Sequence, residues 1–573
     1  MADTVSSNPL RFQIPPLEAA ALKHPFLLSA LLCLFCAVLT FGSHESITPQ
    51  SIMIMAIGGC MAAAYTFSSS KLCRIMGKQR FWAYLFFILA ACILGITLAH
   101  TKYKAVFLLG LGVLICVYAF VYLCITKRLT SERLVILLFI LGFLLKFAYV
   151  LYTVYSSRQH DVSRFTSDSG HAAYITYLYK NMSLPDFDVR EVWQFYHPPF
   201  HHILAALWLK LLTAFGVEYA QAFESIQMLT LFYSTCCMVL AAKIFKALHL
   251  KGAGLITAFA IVAFHPTFII FAGSINNDIL SVTFILGAIL NTITWYRNPT
   301  AKNILKIALC IGLGMMTKLS VWMVAPPVAL IFAVVFFTQL HKWKKYIGQF
   351  AAFLGVCVPL ALWWPIRNSI SWGVPFTYIP MLSKTSKQYI GDHSVLERLF
   401  DFNWSQFEWV YTQFGFYEGT YYEYNPTIAL FKTSLFDERI NDVLFPALTA
   451  IGPILFWSCV ALAIIGIIAA VYFFIKKNSQ NDVSIKLFIF LLSAVFLVSY
   501  YYFCITYPHT CTQNIRYTMP IIIIGAFFVG TIPSVLKKKK AVSKILKIGL
   551  YCLTALFCTA SATTYFIVGC YIK

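Results

Sequence analysis

Long apolar runs separated by polar loops follow one another along most of the chain. The runs are about 17 to 25 residues long, which is the length a helix needs to cross a bilayer, and they predict about 15 membrane spans. The pattern divides the chain into a polar cytosolic tail (1–24), four leading spans (25–130), a central group of spans (131–371) with a polar loop (156–196), a second long loop (372–445) and a final group of spans (446–573). We therefore expect an all-α polytopic membrane protein.

Basic residues concentrate in the short loops, and their positions set the predicted sides of the membrane. Clusters such as those beginning at Lys342 and Lys537 are typical of cytoplasmic loops, so both long polar loops are expected to lie outside. Two helical runs lie between Tyr196 and the inside residue Lys243, although only an odd number of crossings fits. We assign the run over 200–215 to an interfacial helix at the outer surface.

Composition supports the membrane assignment and removes one competing class. Apolar residues make up 60% of the chain, charged residues 12%, and the mean hydropathy is +0.75, values that exclude a soluble protein. The net charge of +22 would suit nucleic acid, but it comes mostly from cytoplasmic loops, so no nucleic-acid partner is expected. Most of the 17 cysteines lie inside apolar runs and are interpreted as small hydrophobic residues.

Unusual polar residues are predicted to meet at the outer ends of the helices. The candidates are His160, Asp161, Asp168, His171 and Tyr196 of the first outer loop, His197 and His201 at the start of the interfacial helix, Asn277 and Asp278, and the cations Lys318, Arg367 and Arg516. Ionisable groups at membrane depth cost several kcal/mol unless they are paired or hydrated, so each is a functional candidate. Singly, the cations also fit headgroup contacts, and the loop aspartates fit helix caps.

A metal site is possible on this pattern but is not favoured. His197 and His201 are spaced to share one face of a helix, as two metal ligands would. No clear carboxylate or cysteine accompanies them, so no cofactor is assigned. Carboxylates together with several cations on one membrane face favour a phosphate-bearing substrate instead.

Two motifs resemble those of a known enzyme superfamily. "SDSGHAAYITYLYK" followed by "YHPPFHHIL" resembles the acidic first-loop motif and the HPPL motif of protein O-mannosyltransferases, and is similar to the matching stretches of aminoarabinose transferases. Both belong to the GT-C superfamily of membrane glycosyltransferases, which take sugars from isoprenoid phosphate carriers. The resemblance covers roughly residues 132 to 530 and is strong again in "FHPTFIIFAGSINNDILS"; the four leading spans look like an addition.

The resemblance implies a GT-C-like helix bundle and roles for individual residues. Its Asp-x-x-His pattern places the catalytic base on Asp168, beside His171, but Ser169 stands where the family has glutamate, so Asp161 in "RQHDV" remains a competitor. The second acid of the family falls on Asp278. The residues that hold the carrier phosphate would fall among Lys318, Arg367 and Arg516, with the remaining candidates binding substrate.

The chemistry of such a donor needs few groups. A lipid-linked phosphate leaves readily, so one carboxylate that takes the proton of the acceptor hydroxyl is sufficient, and Lys, Arg and His supply positive charge to the leaving phosphate. Direct displacement predicts inversion at the anomeric carbon. The expected partners are the isoprenoid phosphate sugar, membrane lipids and a glycan, lipid or protein acceptor.

Two alternative functions remain open from the sequence. A ligase that moves a whole glycan from its lipid carrier would use the same site. A transporter or flippase of lipid-linked sugars would be expected to place its ionisable residues near the bilayer midplane. For location, we favour a bacterial plasma membrane over the endoplasmic reticulum, with the active site on the outer or lumenal face.

Overall fold

The computed structural model of the 573-residue chain describes residues 127–412, 423–476, 481–536 and 541–570, with a few positions between 112 and 124. The predicted tail (1–24) lies outside these residues, as do the four leading spans (25–130) except for a few positions. In chain order the helices are α1 (Ser131–Tyr152), α2 (Gly170–Asn181), α3 (Phe200–Ala214), α4 (Tyr219–Glu224), α5 (Gln227–Ala247), α6 (Gly252–Phe264), α7 (Pro266–Ile270), α8 (Asp278–Arg297), α9 (Ala301–Thr317), α10 (Ala325–Thr338), α11 (Trp343–Trp372), α12 (Val395–Phe400), α13 (Pro426–Phe436), α14 (Leu448–Ile475), α15 (Val483–Thr506), α16 (Pro520–Val535) and α17 (Ala541–Cys570). Short 3-10 turns occupy Leu319–Val324, Leu340–Lys342, Trp404–Phe407, Thr510–Gln513 and Ile515–Tyr517.

Eight helical stretches of the described residues are long and apolar enough to cross a membrane. They are built on α1, on α4 with α5, and on α8, α10, α11, α14, α15 and α17. Three further helices that the sequence predicts as spans, α6, α9 and α16, have 13, 17 and 16 residues, fewer than the roughly 20 a helix needs to cross unaided. The described chain is an α-helical multi-pass membrane protein, and the count of about 15 spans stays a prediction.

Side-chain caps begin several of the long helices. Thr130 accepts a hydrogen bond from the backbone N–H of Arg133 at the start of α1, and Asp482 accepts one from Ile485 at the start of α15. Each cap satisfies one of the four backbone donors that the first helical turn leaves without a partner. The sequence therefore marks where these helices begin, while their apolar interiors provide the packing.

Three of the basic inter-helix turns lie together at one end of the helices. Arg297 at the end of α8 donates to the carbonyl of Ala247 at the end of α5, and Asn481 before α15 donates to Leu248 at 3.1 Å. Tyr296 donates to Asp482 at 2.8 Å. The α5–α6, α8–α9 and α14–α15 turns therefore share an end, which leaves the opposite ends of the same helices for the polar candidates.

Two of the short helices approach each other at glycines. A Cβ added to Gly530 of α16 would lie 2.7 Å from the carbonyl oxygen of Gly254 in α6, and one added to Gly254 would meet the carbonyl oxygen of Gly530. Small residues at such a crossing let two backbones pack closely without a hydrophobic driving force. The α6–α16 contact therefore requires glycine on both sides.

The second long loop is an ordered segment in its described parts. It follows α11, whose C-cap residue Gly373 has a left-handed φ of 63°, and it ends where α14 begins. It contains α12, α13 and the turn Trp404–Phe407. Tyr411 of this segment donates to the carbonyl of Leu448 at 2.6 Å, which fixes the segment to the first turn of α14.

Candidate functional site

Asp161 and Arg516 form an ion pair where the first long polar loop (156–196) meets the turn between α15 and α16. Arg516 Nη1 lies 2.8 Å from Asp161 Oδ2, and the exposed fractions of the two side chains are 8% and 27%. Arg516 belongs to the 3-10 turn Ile515–Tyr517, in which Asn514 accepts the backbone N–H of Arg516 at 3.0 Å. In this pair, the side chain of Arg516 is largely buried and fixed by its turn, whereas the carboxylate of Asp161 remains accessible.

The backbone of the first loop places Asp161 against the start of α2. The carbonyl oxygens of Asp161 and Val162 accept the N–H groups of His171 and Ala172 at 2.9 and 3.0 Å. Asp161 and Ser163 both have left-handed φ values, 58° and 57°. Such conformations are costly for residues other than glycine and persist where the surroundings impose them, commonly at functional sites.

A second ion pair joins the first through Tyr517. Lys318, at the end of α9, pairs with Asp278, the first residue of α8. The ammonium of Lys318 lies 5.1 Å from the centre of the Tyr517 ring, and Arg516 Nη2 donates to the Tyr517 hydroxyl at 2.9 Å. We call Asp161, Arg516, Tyr517, Lys318 and Asp278 the ion-pair cluster.

Four buried residues form a second polar group, the His160 cluster. His160 Nε2 lies 2.6 Å from Asp437 Oδ1, and His160 Nδ1 lies 3.3 Å from Glu438 Oε1. Asn514 donates to both carboxylates at 3.1 Å. Because His160 precedes Asp161 and Asn514 lies two residues before Arg516, the two clusters are neighbours.

Electrostatics differ between the two clusters. Burial disfavours the charged form of Asp161, but the Arg516 guanidinium, followed by His160, outweighs it and holds the pKa of Asp161 below its ordinary value. Burial also opposes the charged form of His160, yet Asp437 and Glu438 raise the pKa of His160 to about 9. Asp161 and His160 are therefore both charged near neutral pH.

A column of histidines lies behind the first loop. His171 Nδ1 is 2.8 Å from His202 Nε2, and the His197 ring stacks on that of His171 with centroids 5.4 Å apart. Burial lowers the pKa of His171 to about 3 and that of His197 well below its ordinary value. Both rings are therefore neutral near pH 7, so the prediction that histidines supply positive charge rests on His160 within the two clusters. His201 Nε2 lies 2.9 Å from the carbonyl of Ile275 and so anchors the turn before α8.

Asp168 lies apart from both clusters. Its side chain is exposed, and none of the hydrogen bonds or ion pairs among the described residues includes it. Its neighbour Ser169 caps α2 through the backbone only. The Asp-x-x-His match therefore selects an exposed aspartate, whereas the competing Asp161 has a cationic partner.

Arg367 also lies outside the ion-pair cluster. Its guanidinium is 5.1 and 4.6 Å from the ring centres of Trp364 and Trp372, and it donates to the carbonyl of Pro185. Trp364 in turn donates to the backbone carbonyl of Tyr196 at 3.1 Å. Arg367 thus fastens α11 to the first loop.

The last two candidates position their neighbours. The ring of Tyr196 lies 4.4 Å from that of His197, and its hydroxyl donates to Gln194 at 3.3 Å. Asn277 donates to the carbonyl of Thr317 at 2.9 Å, which joins the start of α8 to the end of α9. Asn277 therefore helps to bring Asp278 to Lys318.

Four residues of the two clusters are absent from the sequence candidates: Tyr517, Asn514, Asp437 and Glu438. Tyr517 and Asn514 flank Arg516 in "NIRYTMP", so adjacency to a candidate was a usable signal. Asp437 and Glu438 stand in "LFDERIND", which reads as an ordinary solvated loop. Asp437, however, adopts a left-handed φ of 53° and is buried.

Comparison with known proteins adds no family assignment. The chain matches no protein-family model, and no curated protein is significantly similar to it. Within the described ranges, no three His, Cys, Asp or Glu side chains are grouped so that they could hold a metal ion. The two clusters are therefore the features of the described chain that bear on its function.

Proposed function

We propose that this chain is a membrane glycosyltransferase that moves a sugar from an isoprenoid phosphate carrier to an acceptor hydroxyl, with inversion and with Asp161 as the general base. The observation that carries the proposal is the ion-pair cluster, in which the accessible carboxylate of Asp161 pairs with Arg516 and a second pair, Asp278 with Lys318, is joined to it through Tyr517 at one end of the helices. The phosphate group of a lipid carrier lies at the membrane surface, which is where membrane-spanning helices end. The cluster therefore offers both of the functions that the reaction requires.

The reaction needs one proton acceptor and a sink for negative charge. The acceptor oxygen attacks the anomeric carbon as Asp161 removes its proton. The bond between that carbon and the phosphate oxygen breaks, and its electron pair leaves with the carrier phosphate. Arg516 and Lys318 stabilise the charge that gathers there, an effect worth several kcal/mol for a preorganised donor.

Asp161 is favoured over Asp168 because of its surroundings. Asp161 contacts Arg516 and neighbours Lys318 and Asp278 through Tyr517, whereas Asp168 faces solvent. A base must lie within hydrogen-bond reach of the hydroxyl while the donor phosphate is bound close by. Of these two aspartates, Asp161 is the one that combines an accessible carboxylate with a cation that can hold the phosphate.

The ion pair also gives the base a way to respond to the donor. In the pair, Arg516 keeps the pKa of Asp161 low, which makes the carboxylate a weak proton acceptor. A carrier phosphate that engages Arg516 shares its charge and so raises the basicity of Asp161. The base is then strongest when the donor is in place, which limits proton removal without a donor.

The test is turnover by the purified full-length chain in lipid. Isoprenoid phosphate monosaccharides, and separately isoprenoid-linked oligosaccharides, are supplied with candidate acceptors, and release of free carrier is measured. We expect release that Asp161→Asn lowers at least about a hundredfold, with Asp168→Asn as the matched control. Preference for the oligosaccharide donor would identify a glycan ligase that uses the same site. Absence of release with every donor, or equal rates in the wild type and Asp161→Asn, would contradict the proposal.

A further inference from the structure

Residues 395–404 present an apolar surface beside α14. This segment comprises α12 and the start of the turn Trp404–Phe407. The exposed fractions are 70% for Leu396, 71% for Phe400, 51% for Phe402 and 70% for Trp404. Large apolar side chains that are exposed together mark a surface that meets a partner.

The polar groups of the same segment are engaged by the protein. Arg398 is 2% exposed and donates to the carbonyls of Tyr424 and Cys504 at 3.2 and 2.8 Å. Asp401 accepts the backbone N–H of Asn403 and the hydroxyl of Tyr424. Glu397 closes a capping box with Ser394. An arginine turned inward and phenylalanines turned outward are the reverse of the pattern of a water-facing helix.

A stacked pair of tryptophans sets the level of the segment relative to the membrane. The rings of Trp404 and Trp457 lie 5.9 Å apart at 19°, and Phe407 lies 5.6 Å from Trp457. The roughly 20 residues of α14 that precede Lys476, enough to cross the hydrocarbon core, begin near Trp457. Trp457 therefore lies at the edge of that core, the level that tryptophan favours.

We propose that residues 395–404 lie in the membrane–water interface beside α14, with Leu396, Phe400 and Trp404 in contact with lipid. The occupant is lipid because the surface is continuous with a membrane-spanning helix at Trp457, and because its large outward side chains are apolar. Glu397 is also exposed, but its carboxylate is held by Ser394 in the capping box. The contact fixes the height of the second long loop, which also supplies Asp437 and Glu438 to the His160 cluster. It does not depend on the transferase proposal.

Fluorescence quenching of the full-length chain in nanodiscs tests this contact. Wild type, Trp404→Phe and Trp193→Phe are compared in phosphatidylcholine and in phosphatidylcholine with brominated acyl chains, and then with aqueous iodide. Trp193 is the matched control, since it is 44% exposed and near the exposed Asp188–Arg190 pair. The difference emission assigned to Trp404 should fall at least about twofold in brominated lipid and resist iodide, and that of Trp193 should do the reverse.

A second variant guards against energy transfer between Trp404 and Trp457. Phe400→Trp, made in the Trp404→Phe background, should add an emission component that brominated lipid quenches. If the Trp404 and Phe400→Trp components both resist brominated lipid and are quenched by iodide, the segment faces water and the proposal is overturned.

Discussion

Asp161 and Asp168 are aspartates of the same loop, yet their surroundings differ. Asp161 is held in a left-handed conformation against α2 and paired with Arg516, which lies 355 residues further along the chain. Asp168 is exposed and joined to none of the described residues by its side chain. The surroundings of a loop carboxylate, and therefore its charge and its possible role, are decided by partners distant in the chain and not by its local motif.

The largest expected effect separates the two aspartates directly. Asp161→Asn removes the proposed proton acceptor, so turnover should fall about a hundred- to ten-thousandfold, while Asp168→Asn should change it by less than about threefold. Carrier release under saturating donor measures both. A larger loss of turnover in Asp168→Asn than in Asp161→Asn would identify Asp168, the aspartate of the Asp-x-x-His motif, as the base.

The next effect concerns the cation that distinguishes the two sites. Arg516→Gln removes the proposed donor to the leaving phosphate, so turnover should fall about a hundredfold, and breaking its pair with Asp161 should cost roughly 3 kcal/mol of stability. Arg190→Gln breaks the exposed pair with Asp188 and a hydrogen bond to the carbonyl of Trp372, and it should leave turnover unchanged and lower the thermal unfolding midpoint less than Arg516→Gln does. Equal midpoints for the two variants would show that the Asp161–Arg516 pair carries no structural role.

The third effect appears as a dependence of stability on pH. Because the folded pKa of His160 is raised from 6.5 to about 9, its interaction with Asp437 and Glu438 stabilises the protein fully below pH 6.5 and is lost as the pH rises through about 9. The contribution is on the order of 3 kcal/mol. The thermal midpoint should therefore fall across this window.

A matched pair of variants isolates His160 in that measurement. His160→Gln should flatten the slope between pH 6.5 and about 9, whereas His341→Gln, at an exposed position, should preserve it. A slope that survives in His160→Gln would assign the pH dependence to another group and separate the two clusters.

The smallest effect is expected from Arg367, the predicted phosphate ligand that lies outside the ion-pair cluster. Arg367→Gln loses the contacts with Trp364 and Trp372, worth about 1 to 2 kcal/mol, and should lower turnover by less than about tenfold. Turnover and thermal midpoint should decline together. A loss of about a hundredfold in turnover at an unchanged midpoint would bring Arg367 into the phosphate site.

Much of the architecture and half of the clusters could be predicted from the sequence. Apolar run length predicts the eight spanning stretches, since crossing a bilayer demands a minimum length. Basic loops predict which helix ends lie together, and that parity brings Asp161, Asp278, Lys318 and Arg516 to one end. Which side chains pair depends on how the helices pack. The sequence alone therefore could not predict that Arg516 pairs with Asp161, or that Arg367 lies away from both residues.

The missed residues show where such reasoning ends. Asp437 and Glu438 carry no motif and precede a span, as many solvated acids do, and only the fold buries them around His160. The neutrality of His171 and His197 has the same origin, because burial sets their pKa and burial is a tertiary property. A local sequence pattern indicates which ionisable groups are present, but their charge depends on how the fold buries and pairs them.

The glycine crossing of α6 and α16 has a consequence far from where it lies. From Gly254, α6 runs about 15 Å toward the segment that leads into Asp278, and α16 follows directly after the turn that carries Arg516. A methyl group at the crossing would push the two helices apart and so change the position of Arg516, which precedes α16, relative to Asp278, which follows α6. A substitution at either glycine, although remote from the ion-pair cluster, would therefore disturb the spacing of the charged groups in that cluster.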